Sequence, residues 1–235
     1  MEVMEQIRPE PLKTHHVGRA VFLGALAGGL TSLYWGKAAW SRLSSAIGPI
    51  ENALPLLPTG GWRIYAVSGS LPGFDPRAWK LELGGHVEKP TAISYHELKS
   101  LPKVEQVSTF HCVTGWTVNN VHWGGVRLGE VLALAQPKNV AHGIEFVSME
   151  KPYVDYLTAK QAGLHDVMLA YEMDGKPLSR AHGAPVRLVI PEMYGYKNVK
   201  WLEGINLVPK AEDGYWEQLG YDRDAWVGHS NGYGV

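Results

Sequence analysis

The order of apolar and polar positions divides this 235-residue chain into unlike stretches. Met1 to His16 is polar, without a period. An apolar, glycine-rich run then extends from Ala20 to Gly36, with Arg19 before it and Lys37 after it. At roughly 17 residues it lies at the lower limit for a membrane span, and its glycines suit a signal h-region better. A buried core helix is the competing reading. Ser41 to Gly61 reads as a linker broken by Pro49, Pro55 and Pro58. The pattern therefore predicts a targeting or anchoring segment (1–40), a linker (41–61), one domain (62–210) and a C-terminal tail packed on that domain (211–235).

Within the domain, short alternating runs predict strands. Arg63 to Val67 reads as a short extended piece. Leu81, Leu83 and Val87 alternate with polar residues across Trp79 to Val87. Val104 to Phe110, Ile144 to Ser148, Tyr153 to Leu157, Val186 to Ile190 and Trp201 to Val208 read the same way. Ser94 with Glu97 and Thr158 with Gln161 have capping-box spacing, so each predicts a short helix. Leu128, Val131, Leu132 and Leu134-Ala135 form a helical stripe. Asp174-Gly175, between Val167–Glu172 and Leu178, predicts a hairpin turn. Strands of this length with only short helices indicate an α+β domain.

Composition narrows the function classes. A 45% hydrophobic content supports a packed core, and 27 glycines and 15 prolines argue against a helical bundle. The formal net charge of −1 gives no bulk attraction to nucleic acid. The chain has a single cysteine, Cys112, so no internal disulfide or thiolate-held iron–sulfur cluster forms.

Cys112 has three readings: a buried filler, a reactive thiol, or one ligand to a metal. His111 is adjacent, but neighbours on a strand face opposite ways, which weakens a Cys–His dyad. No second Cys or spaced His pair suits zinc. A soft thiolate does suit a metal held mainly by the sulfurs of an organic cofactor. Downstream, Arg187 lies inside the apolar run Val186–Val189 and needs an anion: a carboxylate, or a phosphate that fits its planar fork. Tyr194-Gly195-Tyr196-Lys197-Asn198-Val199-Lys200 is either a solvated loop or a glycine-lysine wrap for an anion.

Three motifs occur together and in order: Phe110-His111-Cys112-Val113-Thr114-Gly115-Trp116, His182-Gly183-Ala184-Pro185-Val186-Arg187-Leu188, and Tyr194-Gly195-Tyr196-Lys197. In this combination the chain resembles the molybdopterin-binding domain of the sulfite oxidase superfamily. It is closer to the bacterial branch that includes the catalytic subunit of periplasmic methionine sulfoxide reductase. The resemblance covers about Trp62 to Val208.

The resemblance implies a fold of mixed, curled sheets around a central cofactor cleft, and one molybdopterin carrying one molybdenum. It implies that Cys112 ligates the metal. It implies cofactor contacts from His182, Arg187, Asn198, Val199, Lys200 and Ser148, and more loosely from Arg63 and Tyr65. His111, Trp116 and Tyr194 are candidate substrate-facing groups. The implied activity is two-electron oxygen-atom transfer on a small substrate. Sulfite oxidases follow their cysteine with Asn-Arg-Arg, and Val113 to Trp116 replaces that run here. Sulfoxide or N-oxide reduction is therefore favoured over sulfite oxidation. The reductase has Asn where this chain has His182, a ring whose ordinary titration lies near neutral pH. The segment at Arg19 resembles a degenerate twin-arginine signal, which implies an extracytoplasmic protein, free or membrane-anchored. A membrane-bound b-type cytochrome or another carrier would exchange electrons with it. A cysteine-dependent thiol enzyme and a non-catalytic module that kept the fold are the alternatives.

Overall fold

The computed structural model describes residues 61–229. The segments read as signal (1–40) and linker (41–61) lie outside the described residues, Gly61 excepted. In chain order the strands are β1 (Lys80–Gly85), β2 (Thr91–Ser94), β3 (Val104–His111), β4 (Thr117–Arg127) and β5 (Gly143–Ser148). They continue with β6 (Val154–Thr158), β7 (Met168–Met173), β8 (Lys176–Pro177), β9 (Arg187–Val189) and β10 (Leu202–Val208). The helices are α1 (Tyr95–Ser100), α2 (Leu128–Ala135) and α3 (Ala159–Ala162), with single 3-10 turns at Arg180–His182, Gly195–Lys197 and Glu217–Leu219.

Two sheets result. The first runs β2-β1-β10-β5-β6, with β1 and β10 parallel and the other neighbours antiparallel. The second runs β3-β4-β7-β8, and β9 also pairs with β7. The architecture is the α+β class that the strand lengths imply.

The period-two rule explains the core. On β1, Leu81 and Leu83 are buried while Lys80 and Glu82 face water. β7 buries both faces. Leu169 and Tyr171 join the larger core cluster, and Met168 and Ala170 join a second cluster with Trp62, Val121 and Trp123. β9 repeats this split: Leu188 packs in the larger cluster, whereas Val189 packs in the second.

Both capping boxes form. Ser94 Oγ accepts from the Glu97 N–H at 3.2 Å, and Glu97 Oε2 accepts from the Ser94 N–H at 2.8 Å. Thr158 and Gln161 do the same at the start of α3. The Asp174-Gly175 turn has φ of 52° and 73°, which suits a tight hairpin between β7 and β8.

Two expectations change. Arg63 to Val67 is not a strand, because beyond a bridge at Trp62 it runs irregularly. The Tyr65 carbonyl accepts from Lys200 Nζ at 2.6 Å instead of a strand partner. The pattern also missed β4, the 11-residue centre of the second sheet. Its alternation is broken by Asn120 at φ 55° and by register shifts opposite Ser108/Phe110 and at Gly124/Gly125.

Ser94→Ala removes one side of the exposed capping box, with a cost of about 1 kcal/mol. A urea midpoint should fall accordingly, and Ser94→Asp should restore it. An unchanged midpoint for Ser94→Ala would mean that α1 is held by Leu98 packing alone.

Candidate active site

Cys112 is the first residue past the β3–β4 ladder, where His111 pairs with Thr117. The turn it opens is closed by its own backbone: Cys112 N donates to Trp116 O at 2.9 Å, and Gly115 N donates to Cys112 O at 3.0 Å. The thiol lies 3.1 Å from Thr114 Oγ1. Among the described residues, no imidazole is within hydrogen-bond reach of it. His111 does not line the cleft that Cys112 faces. The thiol therefore lacks the base that a nucleophilic cysteine needs.

β9 supplies the opposite wall. Because Val186 and Leu188 face the larger core, Arg187 faces the second cluster. Its guanidinium lies over the rings of Trp123 (5.1 Å) and Phe110 (5.5 Å). Nη1 donates to His182 O at 3.1 Å and Nη2 to Asn198 O at 3.4 Å, while Nε is buried without a partner among the described residues. Arg187 is 2% exposed, and among the described residues no carboxylate pairs with it. Burial pulls its pKa down to about 10, so it stays charged at neutral pH.

Gly183 makes this crowding feasible. Its φ is +103°, and a Cβ there would lie 3.0 Å from Lys200 Cβ and 3.2 Å from Arg187 Cβ. Gly195 does the same beside Cys112's hairpin, since a Cβ would fall 2.3 Å from Phe110 Cζ. Trp201 adopts φ 51°, uncommon for a bulky residue, and the Lys200 ammonium rests 4.0 Å from its ring. Burial, then Arg187, push the Lys200 pKa down to about 7.

His182 Nδ1 is 2.9 Å from Ser179 Oγ, its ring packs edge-on against Trp62 at 5.1 Å, and Nε2 is buried without a partner. Burial, then Arg187 and Lys200, push its pKa down to about 4. The ring is therefore neutral across the physiological range and does not titrate near pH 7.

These groups line one cleft of about 970 Å³, its open mouth included. The structure brings together Cys112, Trp116, Arg63, Tyr65, His182, Arg187, Asn198 and Lys200. It leaves others outside. Tyr194 turns to the C-terminal segment, with its N–H on Ala225 O. Val199 is fully buried, and its carbonyl accepts from Leu188 N. Ser148 is fully buried behind the wall, where its hydroxyl donates to Lys200 O at 2.8 Å and accepts from Glu150 N. Ser148 thus positions the Lys200 backbone. The motifs did not single out Trp62, Glu150, Tyr153, Trp216 or Tyr221, which also line the cleft. Glu150 is the one carboxylate among these lining residues, held by Ser68 N at 3.0 Å. Its place two residues after Ser148 was the only sequence signal for it.

The lining thus carries three cations, Arg63, Arg187 and Lys200, against one carboxylate. It also holds buried unpaired groups at Arg187 Nε, His182 Nε2 and Trp116 Nε1. This donor set fits an anionic, hydrogen-bonding cofactor with a phosphate end. Residues 68–216 match the family described as the oxidoreductase molybdopterin binding domain. The chain belongs to this family.

This molybdopterin-binding oxidoreductase is 32% identical over 199 residues to the uncharacterized oxidoreductase YuiH of Bacillus subtilis (strain 168), covering 83% of this chain and 96% of that protein. A sulfite oxidase of Arabidopsis thaliana is 32% identical over 65% of this chain and 48% of its own length. The protein-methionine-sulfoxide reductase catalytic subunit MsrP of Xanthomonas axonopodis pv. citri (strain 306) is 34% identical over 60% of this chain and 48% of its own length. The chain thus spans about half the length of these two. Sulfane dehydrogenase SoxCD of Paracoccus pantotrophus shares the fold, with a TM-score of 0.58 at 23% identity over 61% of this chain and 41% of that one. The protein is a molybdopterin-dependent oxidoreductase of the sulfite oxidase superfamily, and its cofactor is molybdopterin with one molybdenum.

Arg187→Met should cut the molybdenum and pterin content of purified protein to below about a tenth, because it removes a charged fork from the anion site. The cofactor-free variant should melt no lower than wild-type apoprotein, since a buried unpaired charge is costly. Equal molybdenum occupancy in mutant and wild type would remove Arg187 from the anchor. Lys200 adds a pH dependence. Its pKa in the folded protein lies below its ordinary value, so its charge is lost as pH rises through about 7. Sulfate, which does not titrate in this range, should bind apoprotein fully below that pH, and up to about tenfold more weakly per unit above it. Calorimetry on Lys200→Met should give weak binding with a flat pH profile.

Proposed function

We propose that this protein transfers one oxygen atom and two electrons on a small neutral substrate, favouring sulfoxide- or N-oxide-type reduction over sulfite oxidation. The observation that carries this reading is the uncharged turn beside Cys112, the proposed metal ligand. The lining contributed by residues 113–116 is Val113, Thr114 and Trp116, with no cation to hold a sulfite anion. Trp116 offers instead a neutral indole N–H with no partner. Its ring packs tilted against Phe110 (5.6 Å) and edge-on against Trp62 (6.1 Å), which forms an apolar shelf. A shelf with one neutral donor matches a sulfoxide or N-oxide oxygen on an apolar group better than a hydrated oxyanion.

When bound, the cofactor supplies a molybdenum that cycles between Mo(VI) and Mo(IV). Cys112 is the one thiolate this chain offers to that metal. Arg187, Lys200 and His182 hold the anionic and ring portions, with Asn198 setting the loop between them. Asn198 Oδ1 accepts from Ile190 N at 2.7 Å, and its carbonyl accepts from Arg187 Nη2 at 3.4 Å. Arg63 and Tyr65 add exposed side chains to the cleft lining. Electrons come from a second protein, as the name "catalytic subunit" carried by the MsrP relative also suggests. A membrane b-type cytochrome on the outer side of the cytoplasmic membrane fits the signal-like reading of the segment near Arg19. Among the described residues no helix is long and apolar enough to cross a membrane.

The deciding experiment assays molybdenum-loaded protein with an artificial reductant against sulfoxides and N-oxides, and with an artificial oxidant against sulfite. Faster turnover of sulfite would overturn the substrate reading. Trp116→Phe should lower kcat/KM for a sulfoxide about tenfold, the value of one hydrogen bond, at unchanged molybdenum content. Cys112→Ser should abolish turnover while bound pterin is still detected by its fluorescence.

A further inference from the structure

Lys197, Asp155 and Glu217 form a charged cluster away from the cleft lining, and no role assigned so far uses it. Their side chains are 0%, 2% and 1% exposed. Lys197 Nζ donates to Asp155 Oδ1 at 2.7 Å and to Tyr156 O at 3.2 Å, and it pairs with Glu217. The three residues come from three regions. Asp155 is on β6, Lys197 ends the cleft loop that includes Gly195 and Tyr196, and Glu217 is in the C-terminal segment.

That segment returns to the cofactor site. Trp216 and Tyr221, on either side of the Glu217–Leu219 turn, both line the cleft. The family match ends at residue 216, so Tyr221 lies beyond it. Trp216 and Tyr221 pack together at 5.1 Å, and Tyr221 meets Tyr196 at 5.4 Å. Weaker ties flank the cluster: Tyr215 N to Val154 O at 2.9 Å, Tyr196 Oη to Asp222 O at 2.6 Å, and Val227 N to Glu192 O at 2.9 Å.

We propose that residues 214–227 are a strap forming one wall of the molybdopterin cleft, that Trp216 and Tyr221 are cofactor-retaining residues, and that the Lys197–Asp155–Glu217 cluster is the clip that holds the strap shut. The proposal rests on the family's cofactor and is independent of the substrate. Arg187 sets how tightly the cofactor's anionic end binds. The clip sets how fast the cofactor passes the wall.

The clip's charges do not balance, with two carboxylates meeting one ammonium. The other titratable groups that face it are phenols: Tyr153, bonded to Tyr196 O; Tyr156, bonded to Glu145 Oε1; and Tyr196. Glu145, Glu150, Glu212 and Asp222 lie further out on neighbouring elements and add only negative charge. A buried cluster of this kind holds a proton, and Asp155 Oδ2 has no other partner. Burial is the largest cause of a rise in the Asp155 pKa to about 7, and Glu217 adds to it. A folded-state pKa above the ordinary value means that the clip weakens as pH rises toward and through 7.

The test uses holoenzyme and follows pterin release into an excess of apo-acceptor, with hydrogen exchange read in parallel. Glu217→Gln should speed release by about tenfold or more, and should speed exchange at 214–227 without changing β1 and β10. In a Lys200→Met background, which removes the lysine's own titration, release should still accelerate from pH 6 to pH 8.5, and adding Asp155→Asn should flatten that profile. Trp216→Ala leaves the clip intact and should also speed release, which covers the case in which Glu217→Gln fails to fold. Faster exchange in the strap with unchanged release would show a merely structural tail and overturn the proposal. So would a Lys200→Met release rate that is flat across this pH range.

Discussion

The site depends on one uncompensated charge. Arg187 is a full cation, almost wholly buried, held by two carbonyls and two aromatic faces and, among the described residues, by no carboxylate. A protein seldom leaves a buried charge in that condition, because desolvation is several kcal/mol in the wrong direction. Much of the surrounding architecture makes the arrangement tolerable. β9 alternates so that one arginine faces a wall of rings, and Gly183 lets Lys200 close beside it. Burial first, and then the nearby Arg187 charge, lower the tendency of Lys200 to be charged. On the proposed reading, a phosphate end placed here would reverse the balance and make the cofactor part of the stability of its own site.

The aromatic residues make a second contribution. Trp62, Phe110, Trp116 and Trp123 form a continuous cluster of rings around the Arg187 fork and the Cys112 turn. Rings provide bulk, a face for cations and, at Trp116, a neutral donor without introducing charge. The result is a cleft that is electropositive where Arg187 and Lys200 meet and neutral on the Val113–Trp116 turn beside the thiol.

Legibility from sequence followed how local each signal is. The two capping boxes and the Asp174-Gly175 turn depend on residues within four positions of each other, and they formed as read. Arg187 was legible as a charge in an apolar run, but not the absence of a counter-ion, which depends on how β7, β9 and the loop at Asn198 assemble. β4 was hidden because its bulges and Asn120 break the alternation that marks a strand. Tyr194, Val199 and Ser148 belong to the right segments but face away from the cleft. Motif position locates a segment, whereas the side a residue faces is set by register and by a 3-10 turn. Trp216 and Tyr221 gave no periodic signal, because they reach the cleft through tertiary packing alone.

The order of strands in the first sheet has a consequence for how the molecule comes into being. β10, the last strand made, lies between β1 and β5, joined in parallel to one and antiparallel to the other. Until residue 208 has left the ribosome the sheet is two separate ribbons with a missing centre. The cysteine hairpin is synthesised about seventy-five residues before β9, its opposite wall, and the cleft residues Lys200 and Trp201 run directly into the missing strand. The first sheet, and the cleft residues leading into it, therefore assemble only late in synthesis.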